Sequence, residues 1–407
     1  MKATGDQQLV KRINRSVLLR CMRAQPGLSR AQLAQESGLT KSTVSALVRE
    51  LLDEHWLVEA AAPVAGAGMG RPSTPLQLDA NTRVLLGLEI GVRHMRLVAL
   101  SLTGAVLWRM QQNVNDTAAL VACAQAVQMV RAAWKAADHD GLILCGIGVC
   151  LPGAIDTQSG LVRFAPNLGW RDQDFLSPFT RGLARAGIGG VAVHLHNDAD
   201  AAALGEYEFG SGGSADPLIF VSCDVGVGGG IVLHDRLFTG SCGLAGDVGH
   251  TVLNPQGALC SCGRRGCAET MIGANALASP QGLQRGAHAL GLLIQNLGAL
   301  FNPGTVVVGG SSCSAYPGLL DHARTVVNAY AKTAGVPAPI VRHALYGLDA
   351  AAVGAAAVAW HEYLRPTHLQ ARLAVVTGKS AAADARQAAA VQATRSSAAP
   401  AEIEGSV

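Results

Sequence analysis

The segment that most limits what this chain can become lies at residues 249–269. It reads Gly249-His250, then Cys260-Ser261-Cys262-Gly263-Arg264-Arg265-Gly266-Cys267-Ala268-Glu269. Three closely spaced thiols and one upstream imidazole are the soft ligands of a tetrahedral zinc site. His250, Cys260, Cys262 and Cys267 would fill all four positions and leave none for water, so the ion they predict is structural rather than catalytic. The interspersed glycines let backbone wrap a small ion. The other cysteines (Cys21, Cys123, Cys145, Cys150, Cys223, Cys242 and Cys313) are scattered, mostly in apolar stretches, and read as small core residues. No apolar run approaches the ~18 residues of a membrane span, and the basic N-terminus lacks the core of a signal peptide. The chain therefore reads as cytoplasmic, with no membrane partner, and the thiol trio as metal-binding rather than disulfide-forming.

Texture divides the 407 residues into three. Residues 1–80 are a helical segment followed by an Ala/Gly/Pro stretch and a short apolar run. Residues 81–365 alternate β-rich runs (Leu85–Ile90, Met95–Leu100, Leu142–Cys150, Leu218–Ser222, Thr305–Val308) with Ala/Leu-rich helical segments, the pattern of an α/β fold. Residues 366–407, rich in Ala, Gln, Ser and Thr, are expected to form a low-complexity, disordered tail. Charge follows the first division. Residues 1–75 hold ten Lys/Arg against six Asp/Glu, a balance of +4 in a chain whose net charge is +3, so the remainder carries −1. A basic head suggests a nucleic-acid partner.

The head has the spacing of a winged helix-turn-helix. A first helix carries Leu9, Ile13, Val17, Leu18 and Cys21 as its inward stripe. Ser29-Arg30-Ala31-Gln32 is a capping box that opens a second helix to about Glu36, and Gly38 supplies the turn. Thr40 caps a third helix, Lys41–Leu52, with Val44, Leu47, Val48 and Leu51 inward. Its outward side chains Lys41, Ser42, Thr43, Ser45 and Arg49, together with Arg30, suit phosphates and base edges of double-stranded operator DNA. Strands at Trp56-Leu57-Val58 and Leu76-Gln77-Leu78 would bound a wing, with Arg71 placed to enter a minor groove.

The 249–269 segment resembles the signature of the ROK family (repressors, open reading frames and kinases), GH…CxCGxxGCxE, without a gap. The likeness continues at Leu151-Pro152-Gly153, Ala165-Pro166-Asn167-Leu168, the run His196–Glu206, Ala245–His250, Asn302-Pro303 and Gly309-Gly310. The head is similar to that of the family's repressor branch, which includes xylose and N-acetylglucosamine regulators. The resemblance implies a two-lobed actin-like (ribonuclease H-like) sugar-kinase domain behind the winged helix-turn-helix. By motif position it implies sugar contacts at Gly153, Asn197, Asp198, Asp247, His250 and Glu269. Asp247 stands where the family usually has the longer Glu. Asp198 matches the catalytic base of the kinases.

Two loops depart from the kinase pattern. Where the family has Asp-x-Gly-Gly-Thr this chain has Glu89-Ile90-Gly91-Val92-Arg93, and Gly-Thr-Gly-x-Gly-Gly-Gly is replaced by Asp224-Val225-Gly226-Val227-Gly228-Gly229-Gly230. A lost hydroxyl and an added carboxylate beside ATP's phosphates disfavour nucleotide, with Arg93 as a partial counter-charge, so ATP is not expected as a cofactor. The sequence thus points to a sugar-responsive regulator, a repressor of carbohydrate-use genes relieved by its small-molecule effector. Reading paired half-sites requires a homodimer or dimer of dimers. The alternatives are an active ATP-dependent sugar kinase with an appended DNA-binding head and a zinc-responsive regulator.

Overall fold

The computed structural model describes residues 7–60, 74–210, 216–241, 243–316 and 318–366. Arg71 and the tail from 367 onward lie outside the described residues.

The head opens with α1 (Gln7–Ala24), α2 (Arg30–Ser37) and α3 (Lys41–Asp53). Both caps expected from the sequence are present. The Ser29 hydroxyl accepts the Gln32 amide while the Gln32 side chain accepts the Ser29 amide. The Thr40 hydroxyl accepts the Thr43 amide at 3.2 Å. Strands β1 (Leu57–Glu59) and β2 (Leu76–Leu78) pair antiparallel, as a wing requires. One expectation needs correction. Leu9 and Leu18 of α1 are buried, but Ile13 is exposed and Val17 only half-buried, while Leu19 and Met22 are fully buried. The inward face is rotated because α1 packs on the body as well as on its own head.

The body contains two sheets of the same plan. In the first, β3 (Arg83–Ile90), β4 (His94–Ser101) and β5 (Val106–Asn113) form an antiparallel meander. Helix α4 (Ala119–His139) leads to β6 (Ile143–Leu151), which pairs parallel to β3. The next crossover carries a small sheet of β7 (Ala154–Asp156), β8 (Leu161–Ala165) and β9 (Trp170–Asp174), then α5 (Leu176–Arg185). It ends in β10 (Val193–Asn197), parallel to β6. Helix α6 (Asp198–Glu208) then crosses to the second sheet.

There β11 (Leu218–Cys223), β12 (Val227–Leu233) and β13 (Arg236–Leu237) make another antiparallel meander. The short α7 (Glu269–Ile272) and long α8 (Pro280–Phe301) precede β14 (Thr305–Gly309); α9 (Ser311–Ala315) and α10 (Gly318–Ala334) precede β15 (Ile340–His343). Strands β14 and β15 extend this sheet in parallel. Numbered within each lobe, both sheets read 3-2-1-4-5. A duplicated sheet of this order is the two-lobed actin-like arrangement. The β-runs expected from the sequence coincide with observed strands, except that β6 begins at Ile143 and leaves Leu142 outside it.

The chain ends its described part in α11 (Ala350–Tyr363), which lies on β3 and β6 of the first lobe, whereas α6 lies on β11 and β12 of the second. The two helices face each other across the seam between lobes. Their backbones nearly touch: a Cβ added at Gly354 would sit 2.1 Å from the Ala201 carbonyl oxygen. The head docks on the first lobe without a break in the apolar core. Leu18, Leu33, Val44 and Leu51 of the head share one cluster with Leu85, Val98, Leu100 and Trp360 of the body. Trp56 stacks on Trp360 and Tyr363 at ring distances of 6.2 and 4.7 Å. The Arg83 guanidinium lies 3.9 Å over Trp56.

Gly354→Ala forces backbone apart at this seam. It is expected to lower stability by about 1–3 kcal/mol, the range for overpacking a close contact. Urea unfolding followed by circular dichroism checks this through the transition midpoint.

Candidate functional site

The metal-ligand set predicted from the sequence converges in space. The ligand atoms of His250, Cys260, Cys262 and Cys267 all lie within 4.8 Å of one another. His250 Nδ1 is 3.5 Å from Cys260 Sγ, and Cys262 Sγ is 3.6 Å from Cys267 Sγ. Tetrahedral zinc with bonds of about 2.0–2.3 Å spaces its ligands by roughly 3.5–3.8 Å, so the donors fit one such ion. The loop can be this tight only with glycine at 266, where a Cβ would lie 1.5 Å from the Asn254 carbonyl oxygen. The other imidazole nitrogen, Nε2, points away from the thiols towards Asp247 Oδ1, 4.0 Å off. The two ring nitrogens thus have different neighbours, a thiol on one side and a carboxylate on the other.

The remaining predicted residues fall into two contact groups, Glu269 and Asp247 near His250 and Asn197, Asp198 and Gly153 at the start of α6. Glu269, at the start of α7, reaches Cys260 Sγ at 3.8 Å and accepts the Val227 amide at 3.2 Å. Asp247 is exposed towards solvent. On the facing side, the Asn197 amide donates to the Gly153 carbonyl at 2.9 Å, and its Oδ1 accepts the Ala199 and Asp200 amides. Asn197 therefore serves as the cap of α6. Asp198 Oδ1 accepts the Ala199 amide at 2.8 Å. Burial, and then the charge of nearby Asp224, push its carboxyl up to about 6. A carboxyl with that affinity for protons can accept one from a hydroxyl, or hold a hydroxyl by hydrogen bond.

The two glycine loops are occupied by the protein's own charges. Burial pushes Glu89 up to about 8, although Arg96 Nη1 lies 3.1 Å away and opposes this. The arginine beside Glu89 is thus Arg96, not Arg93, which is exposed. Asp224 is held by the Ser311 amide at 2.6 Å and the Ser222 hydroxyl at 3.0 Å, rather than by Arg93. Ser311 sits where β14 meets α9, and Ser222 near the end of β11.

On the head, α3 leaves Lys41, Ser42, Ser45 and Arg49 exposed and Thr43 half-buried. The Thr43 hydroxyl packs 2.9 Å from that of Thr40. Lys41 and Arg49 make no ion pair among the described residues, whereas Lys11 pairs with Glu50 and Arg15 with Glu54. Arg30 pairs with Glu59 of β1 at 2.9 Å, so its charge braces the wing. Sequence reasoning missed one constellation altogether: Arg20, Arg23, Glu208, Asp235 and Arg365, where the head meets the second lobe. Its members lie as much as 345 positions apart (20 to 365), and no local pattern in the sequence links them.

A DNA-reading head fused to a duplicated sugar-kinase scaffold, with a cysteine-histidine clip beside the cleft, defines a class of two-part proteins. The ROK family model matches residues 85–282, and a winged helix-turn-helix DNA-binding model matches residues 12–58. The chain thus carries a ROK family domain behind a winged helix-turn-helix head. It is similar to the xylose repressor of Bacillus subtilis (strain 168), 28% identical over 349 residues that cover 80% of this chain and 88% of that protein. Among solved structures it is similar to a ROK family transcriptional regulator described as a homologue of the E. coli MLC protein. That match has a TM-score of 0.70 and 22% identity and covers 88% of this chain and 97% of the other. It is also similar to a ROK family glucokinase from Streptomyces griseus in complex with glucose and AMPPNP, with a TM-score of 0.55 and 26% identity. There the coverage is 68% of this chain and 98% of the other.

The Asp198 carboxyl has a testable signature. Its folded-state value near 6 lies above the ordinary 3.8, so folding favours the protonated form, and this contribution is lost as pH rises through about 6. Asp198→Asn stays neutral and keeps the acceptor oxygen. The stability of the variant relative to the native protein should therefore be greater at pH 8 than at pH 4, measured by urea unfolding at both.

Proposed function

We propose that this protein is a sugar-responsive transcriptional repressor that binds double-stranded operator DNA and is relieved by a free sugar. The observation that carries the reading is the pairing of an intact cleft wall with a self-occupied phosphate side. In this reading Asn197, Asp198, Asp247, His250 and Glu269, with Gly153 bonded to Asn197, would form the sugar side of the site, rich in hydrogen-bonding groups. Carboxylates and amides there can each engage sugar hydroxyls with directional bonds. Asp224 meanwhile occupies the donors that a nucleotide phosphate would need. The named xylose repressor among the relatives supports regulation over catalysis.

In this reading Lys41, Ser42, Thr43, Ser45 and Arg49 read DNA, phosphates by the basic pair and base edges by the hydroxyls, with Arg30 holding the wing beside them. Arg71 would contribute from the wing. The protein acts as a homodimer or dimer of dimers in the cytoplasm. Among the described residues no helix is long and apolar enough to cross a membrane. Zinc held by His250, Cys260, Cys262 and Cys267 would act as a rigid clamp and fix which imidazole nitrogen faces the sugar.

The kinase alternative rests on one specific observation, the Asp198 carboxyl poised near 6. Anisotropy of a fluorescent duplex, selected from random-sequence DNA by the protein itself, separates the readings. One member of a panel of aldoses and N-acetyl-hexosamines should weaken DNA binding about tenfold or more, with no need for ATP. Arg49→Ala should weaken sugar-free binding by about tenfold. A sugar phosphate formed in the presence of ATP would replace the regulator with the kinase.

Zinc gives a separate check. Elemental analysis should find one equivalent per chain, and chelation should lower sugar affinity while sugar-free DNA binding persists. Unchanged sugar affinity after complete metal removal would sever the link between clip and cleft.

A further inference from the structure

The head touches both lobes, and by different chemistry. Its grip on the first lobe is apolar and broad: Trp56 stacked on Trp360 and Tyr363, and Arg83 bonded to the Glu54 and His55 carbonyls. Its grip on the second lobe is narrow and ionic. Arg20, near the end of α1, donates to Asp235 at 2.9 Å. One turn on, Arg23 pairs with Glu208 at 2.6 Å and donates to the Tyr207 and Glu208 carbonyls that end α6.

The receiving groups are held stiffly. Asp235 lies at the tip of the β12–β13 hairpin, where it and His234 both adopt positive φ, 61° and 53°. Asp216 accepts both of their amides, at 2.9 and 2.8 Å. Tyr207 donates its hydroxyl to Asp235 at 2.8 Å. Arg365, just past α11, also bonds Asp235 and lies 2.9 Å from Glu208, while His361 sits 2.6 Å from the same Glu208 oxygen. The Glu208 side chain has no exposed surface. A buried carboxylate surrounded by three cationic or hydrogen-bonding partners tolerates little displacement without leaving a charge unpaired.

Both elements that carry these groups begin at the cleft. Helix α6 starts at Asn197 and Asp198 and ends at Tyr207 and Glu208. Strand β12 starts at Val227, bonded to Glu269, and leads to the Asp235 tip. A shift of the second lobe against the first therefore arrives at α1 through two rigid rods, while the apolar seat holds the rest of the head on the first lobe.

We propose that Asp235 and Glu208, gripping Arg20 and Arg23, are the contact through which occupation of the cleft is transmitted to the DNA-reading head. Sugar-driven closure draws the hairpin and the α6 end away from α1 and frees the head to change its pose. The proposal rests on the sugar-repressor reading and names how that site is coupled to DNA. Asp235 and Arg20 are positioning residues: neither touches sugar or DNA in this scheme.

The test uses the full-length protein, the same sugar panel and the selected duplex. Sugar binding is read by calorimetry, DNA affinity by anisotropy, and docking of α1 by hydrogen exchange. In the native protein the sugar that binds should speed exchange across residues 18–24. In Asp235→Asn and Arg20→Gln that exchange should be fast before sugar is added and sugar-free DNA binding should already be about as weak as in the sugar-bound native protein, while sugar still binds at least as tightly. The change of DNA affinity on adding sugar, about 5- to 150-fold for coupled sites, should fall below about threefold in both variants. Both substitutions are at partly exposed positions, and thermal melting verifies that the variants fold. Sugar that binds without altering α1 exchange, or variants that keep the full DNA response, overturn the transmission role while sugar repression stands. Failure of every sugar in the panel to bind removes the repressor reading itself, and the proposal with it.

Discussion

The contact on which the rest of the architecture depends is the near-touch of α6 and α11. Each belongs to a different lobe by its packing on the sheets, and each is small-sided where they meet, at Ala201, Gly205 and Gly354. With little side chain between them, the helices lie close enough for backbone atoms to make van der Waals contact, a geometry that resists separation but offers few interlocking knobs against sliding. Everything functional is hung from this seam. The cleft lies at the N-terminal end of α6, the ionic grip on the head at its C-terminal end, and the aromatic seat of the head on the last turns of α11.

That placement explains why charges are buried where they are. An ionic network at a lobe boundary is a weak source of net stability, since desolvation consumes much of the Coulomb attraction. Its value lies in being all-or-none. Burial works to raise Glu208, but the hydrogen bond from His361 and the charges of Arg23 and Arg365 hold it below the ordinary carboxylate range. Burial likewise opposes ionisation of Asp235, yet Arg365 and the Tyr207 hydroxyl bring it down to about 2. Groups bound this tightly favour one docked arrangement over a continuum of loose ones.

Local signals were readable from the sequence and long-range ones were not. The capping box at Ser29 and Gln32, the Thr40 cap, the inward stripe of α3 and the central strands depend on residues a few positions apart, and each was found where expected. The metal ligands were legible for the same reason, since three of four lie within one short loop. The inward face of α1 was misjudged because the head shares its apolar cluster with the body, whose contact no local periodicity encodes. The partners of Arg20 and Arg23 lie about two hundred positions downstream, so nothing distinguished them from the basic side chains that face solvent. The glycine loops showed that the phosphate side was altered, but not that Asp224 turns inward to serve the Ser311 amide.

That inward turn carries a consequence for how this protein could change. A phosphate approaching Ser311 does not meet an empty cradle; it competes with a carboxylate tethered to the next strand, whose effective concentration for so short a link is on the order of millimolar or above. Restoring a hydroxyl at Val225 alone would leave this competitor in place, and removing Asp224 alone would leave the hydroxyl missing and the exposed Ser311 amide without its carboxylate partner. Two changes, each unrewarded by itself, separate this loop from nucleotide binding. The loop behaves as a ratchet, and the route back to catalysis is longer than the number of altered residues suggests.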